Sequence, residues 1–256
     1  MSGVDFPEKA WLTDFSRFVS ENPEFLSYAT FREIAYSIHI SLNHRIVYFE
    51  VPKNASSSIK TMLHRLEYGD PDFEHTTFAD VHGRDFSPLL TPFQVHNFRK
   101  IITGGEFLLF TVFRDPFERL LSGYIDKVVN NGQFHKEIRA TTGTSSSSAP
   151  QFKEFIYWLA GQKVSDMDQH WKPQCIQSHY GTVPDLQVFS MDRLDSLSLA
   201  IQRHVGTDRF VLERTSPHKT GSKFAIDEHY DEAAKELVRR KYADDFAIWQ
   251  RTNQKM

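Results

Sequence analysis

A single cysteine, Cys175, stands in the 256 residues. An internal disulfide and a cysteine-rich zinc site are therefore excluded, which fits a reducing compartment. Long apolar runs are missing too. The opening "MSGVDFPEKAWLTDF" carries acidic residues and no hydrophobic stretch, so it reads as neither a signal peptide nor a membrane anchor. With an initial Met, the chain is expected to be complete, cytoplasmic and without membrane contact, although a luminal domain cut from its anchor would read the same way. There is no basic excess either. The formal net charge is −3, so nucleic acid is not an expected partner and any anion site must be local. The G-x-x-x-x-G-K-[ST] pattern is also absent. An ATP or GTP hydrolase, or a kinase acting through Mg²⁺, would lack its phosphate loop.

What is present is an ordinary globular composition, 40% hydrophobic and 25% charged, enough for one sizeable core. Residues 1–44 read as a helical N-terminal cover, broken at Pro23. "RIVYFEV" (45–51) is nearly continuous in apolar, β-branched and aromatic residues, as a strand buried on both faces requires. The following "SIKTMLHRLEYG" puts Ile59, Met62, Leu63 and Leu66 on one helical face and stops at Gly69. Residues 70–92 hold too many Pro, Gly, Asp and His for regular structure, so a long loop is expected, with a short helix near Phe93 to Lys100.

The same unit recurs. "EFLLFTVF" (106–113) reads as a second buried strand, and "RDPFERLLSGYIDKVVN" as a helix with Asp115 as cap and Pro116 in its first turn. Residues 140–150 read as a flexible loop, "QFKEFIYWLAG" as a helix, and "DLQVFSM" (185–191) as a third strand leading into "LDSLSLAIQRHVG". A final helix closes the chain. Alternating strands and helices predict an α/β fold with a mainly parallel sheet, whose ligands sit at the carboxyl ends of the strands. Both strand-to-helix loops lie at that edge.

The first loop, "PKNASSSIK" (52–60), would set unsatisfied backbone N–H groups at a helix N-terminus. The helix dipole favours an anion there, and three serine hydroxyls with Lys53 and Lys60 add donors and charge. Taken alone, the loop is equally well a serine cap on an ordinary helix. The second loop places Arg114 at a strand end and Ser122 two turns further on, a pairing able to grip a separate phosphate. Two anion sites on neighbouring strand ends point to a ligand phosphorylated at both ends.

"VPKNASSSIK" resembles the 5′-phosphosulfate loop of sulfotransferases. "FTVFRDPFERLLSGYIDK" resembles their 3′-phosphate motif, especially the R-D-P-F-E-R-L-x-S-x-Y form of the Golgi-type carbohydrate sulfotransferases. "HWKPQC" (170–175) and "YADDFAIW" are similar to two further elements of those family-2-like enzymes. The resemblance implies a single P-loop-like three-layer α/β domain over 1–256. It also implies the donor 3′-phosphoadenosine 5′-phosphosulfate (PAPS), direct in-line transfer of a sulfuryl group without metal, and 3′-phosphoadenosine 5′-phosphate (PAP) as product.

Carried over by position, Pro52, Lys53, Asn54, Ala55 and Ser56 to Ser58 would bind the 5′-phosphosulfate, with Lys53 on the leaving phosphate. Arg114 and Ser122 would hold the 3′-phosphate, and Lys219, in the basic segment 213–224, would close over the nucleotide. The general base is expected among Glu74, His75, His82 and His96, with His75 and His82 preferred. His96, His170 and Trp171 are candidates for contact with an acceptor, the indole by stacking on a sugar; a core tryptophan explains Trp171 equally well. The acceptor is expected to be the hydroxyl of a glycan or small polar metabolite. A small-molecule amine, or a PAPS- or PAP-binding module without activity, remain as alternatives, and the oligomeric state is open.

Overall fold

The computed structural model describes residues 10–85, 87–144, 148–213 and 226–254. Four strands form one sheet in chain order: β1 (Ile38–Ser41), β2 (Ile46–Phe49), β3 (Leu108–Phe113) and β4 (Gln187–Ser190). β2, β3 and β4 are parallel, with Ile46 opposite Leu108 and Phe110 opposite Gln187. β1 turns back antiparallel on β2, with Ile38 opposite Phe49.

Every residue of β2 and β3 is buried, which is why their sequences are apolar without interruption. Successive side chains still go to opposite faces. Val47, Phe49 and Leu109 pack with Phe15 and Phe18 from the N-terminal helix and with Phe98 from a helix that precedes β3, whereas Tyr48, Phe110 and Val112 pack with Ile59, Met62, Leu197 and Ile201 from the other side. Helices on both faces make the three-layer α/β sandwich expected. Each such aromatic or aliphatic side chain contributes on the order of 1.5–3 kcal/mol by leaving water. A third cluster, centred on Trp171, Phe155 and Tyr242, ties the C-terminal helices to the edge of the domain.

Two loop-to-helix junctions position the site. Helix α1 (Ser56–Tyr68) follows β2 and ends at Gly69, whose positive φ of 66° lets its N–H reach the carbonyls of Arg65 and Leu66. Helix α2 (Pro116–Gly123) follows β3, and the Asp115 side chain accepts from the Glu118 N–H at 3.0 Å. α2 then runs without a break into a π-helical segment, Tyr124–Asn130.

The N-terminal region departs from an all-helical cover. Helices at Ala10–Glu21 and Phe31–Ser37 flank a 3₁₀ turn at Pro23–Leu26, but β1 follows directly. His39 and Ser41 interrupt the apolar pattern of that strand; His39 Nε2 pairs with Glu50 and the Ser41 hydroxyl donates to Glu67. Residues 70–92 include a five-residue helix, Phe78–His82, started by a reciprocal Thr77–Asp80 capping box. The helix expected near 93–100 lies at Phe98–Thr103. Of 140–150, Ala140 to Thr142 close the helix His135–Thr142, while 145–147 are outside the described residues. No helix among the described residues is long and apolar enough to cross a membrane.

Candidate active site

The loop after β2 holds two non-glycine residues in the left-handed region, Lys53 at φ 73° and Ala55 at φ 61°. Each costs roughly 1–3 kcal/mol of backbone strain, a conformation that glycines would adopt freely in a nucleotide loop. Ala55 is the residue that caps α1, and it makes no side-chain cap bond. The serine-cap explanation of this sequence therefore fails, because the serines lie inside the first turn. The N–H groups of Ser56 and Ser57 have no intrahelical acceptor at the positive end of a 13-residue helix.

Lys53 is mostly buried, with its side chain 16% exposed, and its ammonium donates to Asp126 Oδ2 at 3.0 Å. Burial lowers the pKa of Lys53, against the raising effect of Asp126. Arg114, at the end of β3, donates from Nη1 to the Lys53 carbonyl at 3.1 Å and from Nε to Glu118 at 3.2 Å. The two strand-to-helix loops thus touch directly. Ser122 is buried one turn beyond Glu118 on the same helix.

Four separated sequence motifs converge behind these loops. Arg119 is 1% exposed and donates to the carbonyls of Pro52, Lys172 and Gln169 at 3.1, 2.8 and 3.0 Å, and to Gln177 Oε1 at 3.3 Å. Gln174 accepts at Oε1 from the Asn54 amide and the Arg114 N–H and donates to the Arg114 carbonyl. Asp245 accepts from the N–H groups of Gln174 and Cys175 at 2.7 and 2.8 Å, and Tyr242 donates to the Trp171 carbonyl. Arg119, Gln174 and Asp245 were not singled out as site residues in the sequence, although all three lie inside the motif segments.

Several expected residues are placed differently. Asn54 is wholly buried and spends its amide hydrogens on Val112 O and Gln174 Oε1, so its side chain braces the loop from behind. Lys60 also turns inward, donating to both oxygens of Glu50 and to His82 Nδ1 at 2.7 Å. Burial pushes Glu50 up, but Lys60 and His39 outweigh it and hold the carboxylate well below its usual range. Trp171 is 0% exposed and packs on Phe134, Phe155 and Trp158, so no indole face is open to a sugar. His96 sits exposed on the turn before Phe98, among residues packed on the N-terminal helices. Lys219 belongs to 214–225, outside the described residues.

The histidines divide by chemistry. With Lys60 donating to its Nδ1, neutral His82 carries its proton on Nε2 and donates it to Ser57 Oγ at 2.9 Å. Burial and Lys60 lower its pKa to about 4. His75 Nε2 meets His64 Nδ1 at 3.0 Å, and His64 Nε2 meets Ser87 at 3.2 Å. His64 is fully buried and lowered to about 3 by burial, whereas His75 is partly exposed and its pKa is less displaced. His170 donates from Nδ1 to Asp168 at 2.6 Å; burial lowers its pKa, Asp168 raises it, and the nearby Lys127 and Lys53 lower it further. Glu74 is exposed. Among the described residues no group of three or more His, Cys, Asp or Glu side chains is arranged to hold a metal ion.

A model of the sulfotransferase family matches residues 36–250. The chain is similar to carbohydrate sulfotransferase 10 of Gallus gallus, 24% identical over 229 residues that cover 80% of this chain and 63% of that protein. It is also similar to carbohydrate sulfotransferase 8 of Mus musculus, 31% identical over 150 residues, covering 52% of this chain and 35% of the relative. The match to the human carbohydrate sulfotransferase 9 is 30% over 149 residues, covering 53% of this chain and 33% of that protein. The chain thus spans less than two thirds of the length of the curated relatives it matches. No solved structure matches it.

Proposed function

The chain belongs to the sulfotransferase family, and from that premise we propose that it transfers a sulfuryl group from PAPS to a hydroxyl of a carbohydrate. The observation that carries this reading is the Arg114 to Lys53 carbonyl bond, which joins two anion loops on adjacent strand ends. A donor phosphorylated at both the 3′ and 5′ positions suits such a pair. The residues fit it: uncapped N–H groups at Ser56 and Ser57, a buried ammonium at Lys53, and a guanidinium at Arg114 with Ser122 on the next helix.

When bound, the donor supplies a sulfur atom whose bond to the 5′-phosphate oxygen breaks as a bond to the acceptor oxygen forms. Lys53 neutralises the negative charge that collects on the departing phosphate, and the Ser56 and Ser57 N–H groups add donors set in place beforehand by the strained loop. His82, by donating to Ser57 Oγ, frees the Ser57 hydroxyl proton to point at an anion.

The acceptor hydroxyl must lose a proton, and we assign that proton to His75. For His75 to take it at Nδ1, its own Nε2–H donates to His64 Nδ1, and His64 in turn donates its Nε2–H in a hydrogen bond to Ser87 Oγ, an arrangement the observed contacts allow. His170, held by Asp168, is assigned to acceptor contact.

Calorimetry with PAP against ATP tests the donor; equal or tighter binding of ATP refutes it. Transfer from radiolabelled donor to sugars, phenols and amines reads the acceptor class, with Lys53→Ala and Arg114→Ala expected to abolish turnover. Unchanged rates in these variants would refute the roles assigned, and binding of PAP with no transfer to any acceptor would favour a module without activity.

A further inference from the structure

The partner of Lys53 is itself unusual. Asp126 lies on the π-helical segment, and its carboxylate is fixed on two sides: Oδ2 takes Lys53 at 3.0 Å and approaches Lys127 at 3.6 Å, while Oδ1 accepts from Asn131 at 3.1 Å. The Asn131 side-chain amide also donates to the Asp126 backbone carbonyl. The π segment therefore sets an anion against the ammonium that the cradle offers to its ligand. Burial tends to raise the pKa of Asp126, but Lys53 outweighs it, so the carboxylate is charged at neutral pH.

We propose that Asp126 is a positioning residue that occupies Lys53 as a resident counter-anion, which the 5′-phosphate of the nucleotide must displace on entry and which recaptures the lysine as the product leaves. This rests on the nucleotide-donor reading of the site. Without some anion, Lys53 would face burial beside the like charges of Lys127 and Arg114. Asp126 favours its protonated form and fixes the position of its ammonium. Because the same carboxylate competes with the nucleotide, it also weakens the hold on PAP and favours turnover.

The test is calorimetric binding of PAP to the full chain at low ionic strength, with wild type, D126N, K53A and the double variant. D126N is expected to bind PAP about tenfold more tightly at pH 7, a change of about 1.4 kcal/mol, and the gain should vanish in the K53A background. A pH series separates positioning from mere structure. In D126N the pKa of Lys53 falls further, so affinity should decline at lower pH on the alkaline side than in wild type, with Arg114, Lys127 and His170 unchanged around it. Equal or weaker binding in D126N, a gain that persists without Lys53, or an unshifted alkaline limb would each overturn the proposal. Failure of wild type to bind PAP at all would instead refute the donor reading. Asp126 is 31% exposed, so D126N and D126S should both melt cooperatively; loss of the fold in both would show a structural role and overturn it as well.

Discussion

Replacing Arg119 by Met removes the bracket behind the cradle while keeping a long, unbranched side chain in its place. The guanidinium makes four hydrogen bonds, three of them to backbone carbonyls, in full burial. Bonds from a charged donor contribute roughly 1.5–3 kcal/mol each, and a carbonyl left buried without a donor costs about 1–3 kcal/mol. Against this, the variant no longer buries a charge, which returns several kcal/mol of desolvation.

Asp245, whose pKa is raised by burial and lowered in part by Arg119, keeps its two backbone N–H donors in the variant. The net loss should fall near the 3–5 kcal/mol typical of breaking a buried charged partnership from one side. For a protein of this size that lowers the melting temperature by about 10 °C. Scanning calorimetry of wild type, R119M and R119K reads it, with R119K intermediate because an ammonium has a single centre and cannot span four acceptors. Measured below its melting point, R119M should also bind PAP more weakly, since Pro52 loses its anchor. A melting temperature within about 3 °C of wild type would refute the bracket.

Two further outcomes follow from the histidines. His179 is buried and stacked on Phe25 with ring centroids 3.9 Å apart, and burial lowers its pKa from 6.5 to about 3. Between those values the unfolded chain binds a proton that the native state does not, so stability is present above pH 6.5 and is lost as pH falls, by up to about 1.4 kcal/mol per unit. His179→Asn, tolerated at its positive φ of 57°, should reduce the slope of unfolding free energy between pH 6.5 and 5 by about one proton; an unchanged slope would count against it. His75→Ala should lower kcat by about 10²–10⁴ with PAP affinity intact, whereas His82→Ala should loosen PAP through Ser57. The reverse pattern would exchange the two roles.

The strand, loop and helix units were legible because each rests on a short-range rule. A strand covered on both faces must be apolar throughout, as "IVYF" and "LLFTVF" are, and a helix needs a stop such as Gly69 or a start such as Asp115-Pro116. β1 was not legible. Four residues with a histidine and a serine carry too little periodicity, and their partners Glu50 and Glu67 are announced by no local pattern. The two strand-to-helix loops could be placed at one edge of the sheet, but not the direction each side chain takes within them.

By itself the sequence determined the α/β order, the family resemblance and the placement of Lys53 and Arg114 on neighbouring strand-to-helix loops. Only the tertiary structure decided that Asn54 and Lys60 face inward, that Trp171 is core, and that Lys53 rests on Asp126, 73 residues away. Local patterns report how the backbone must run. A buried polar group instead takes whichever partner the packing brings within about 3 Å, and that choice exists only once distant segments have converged.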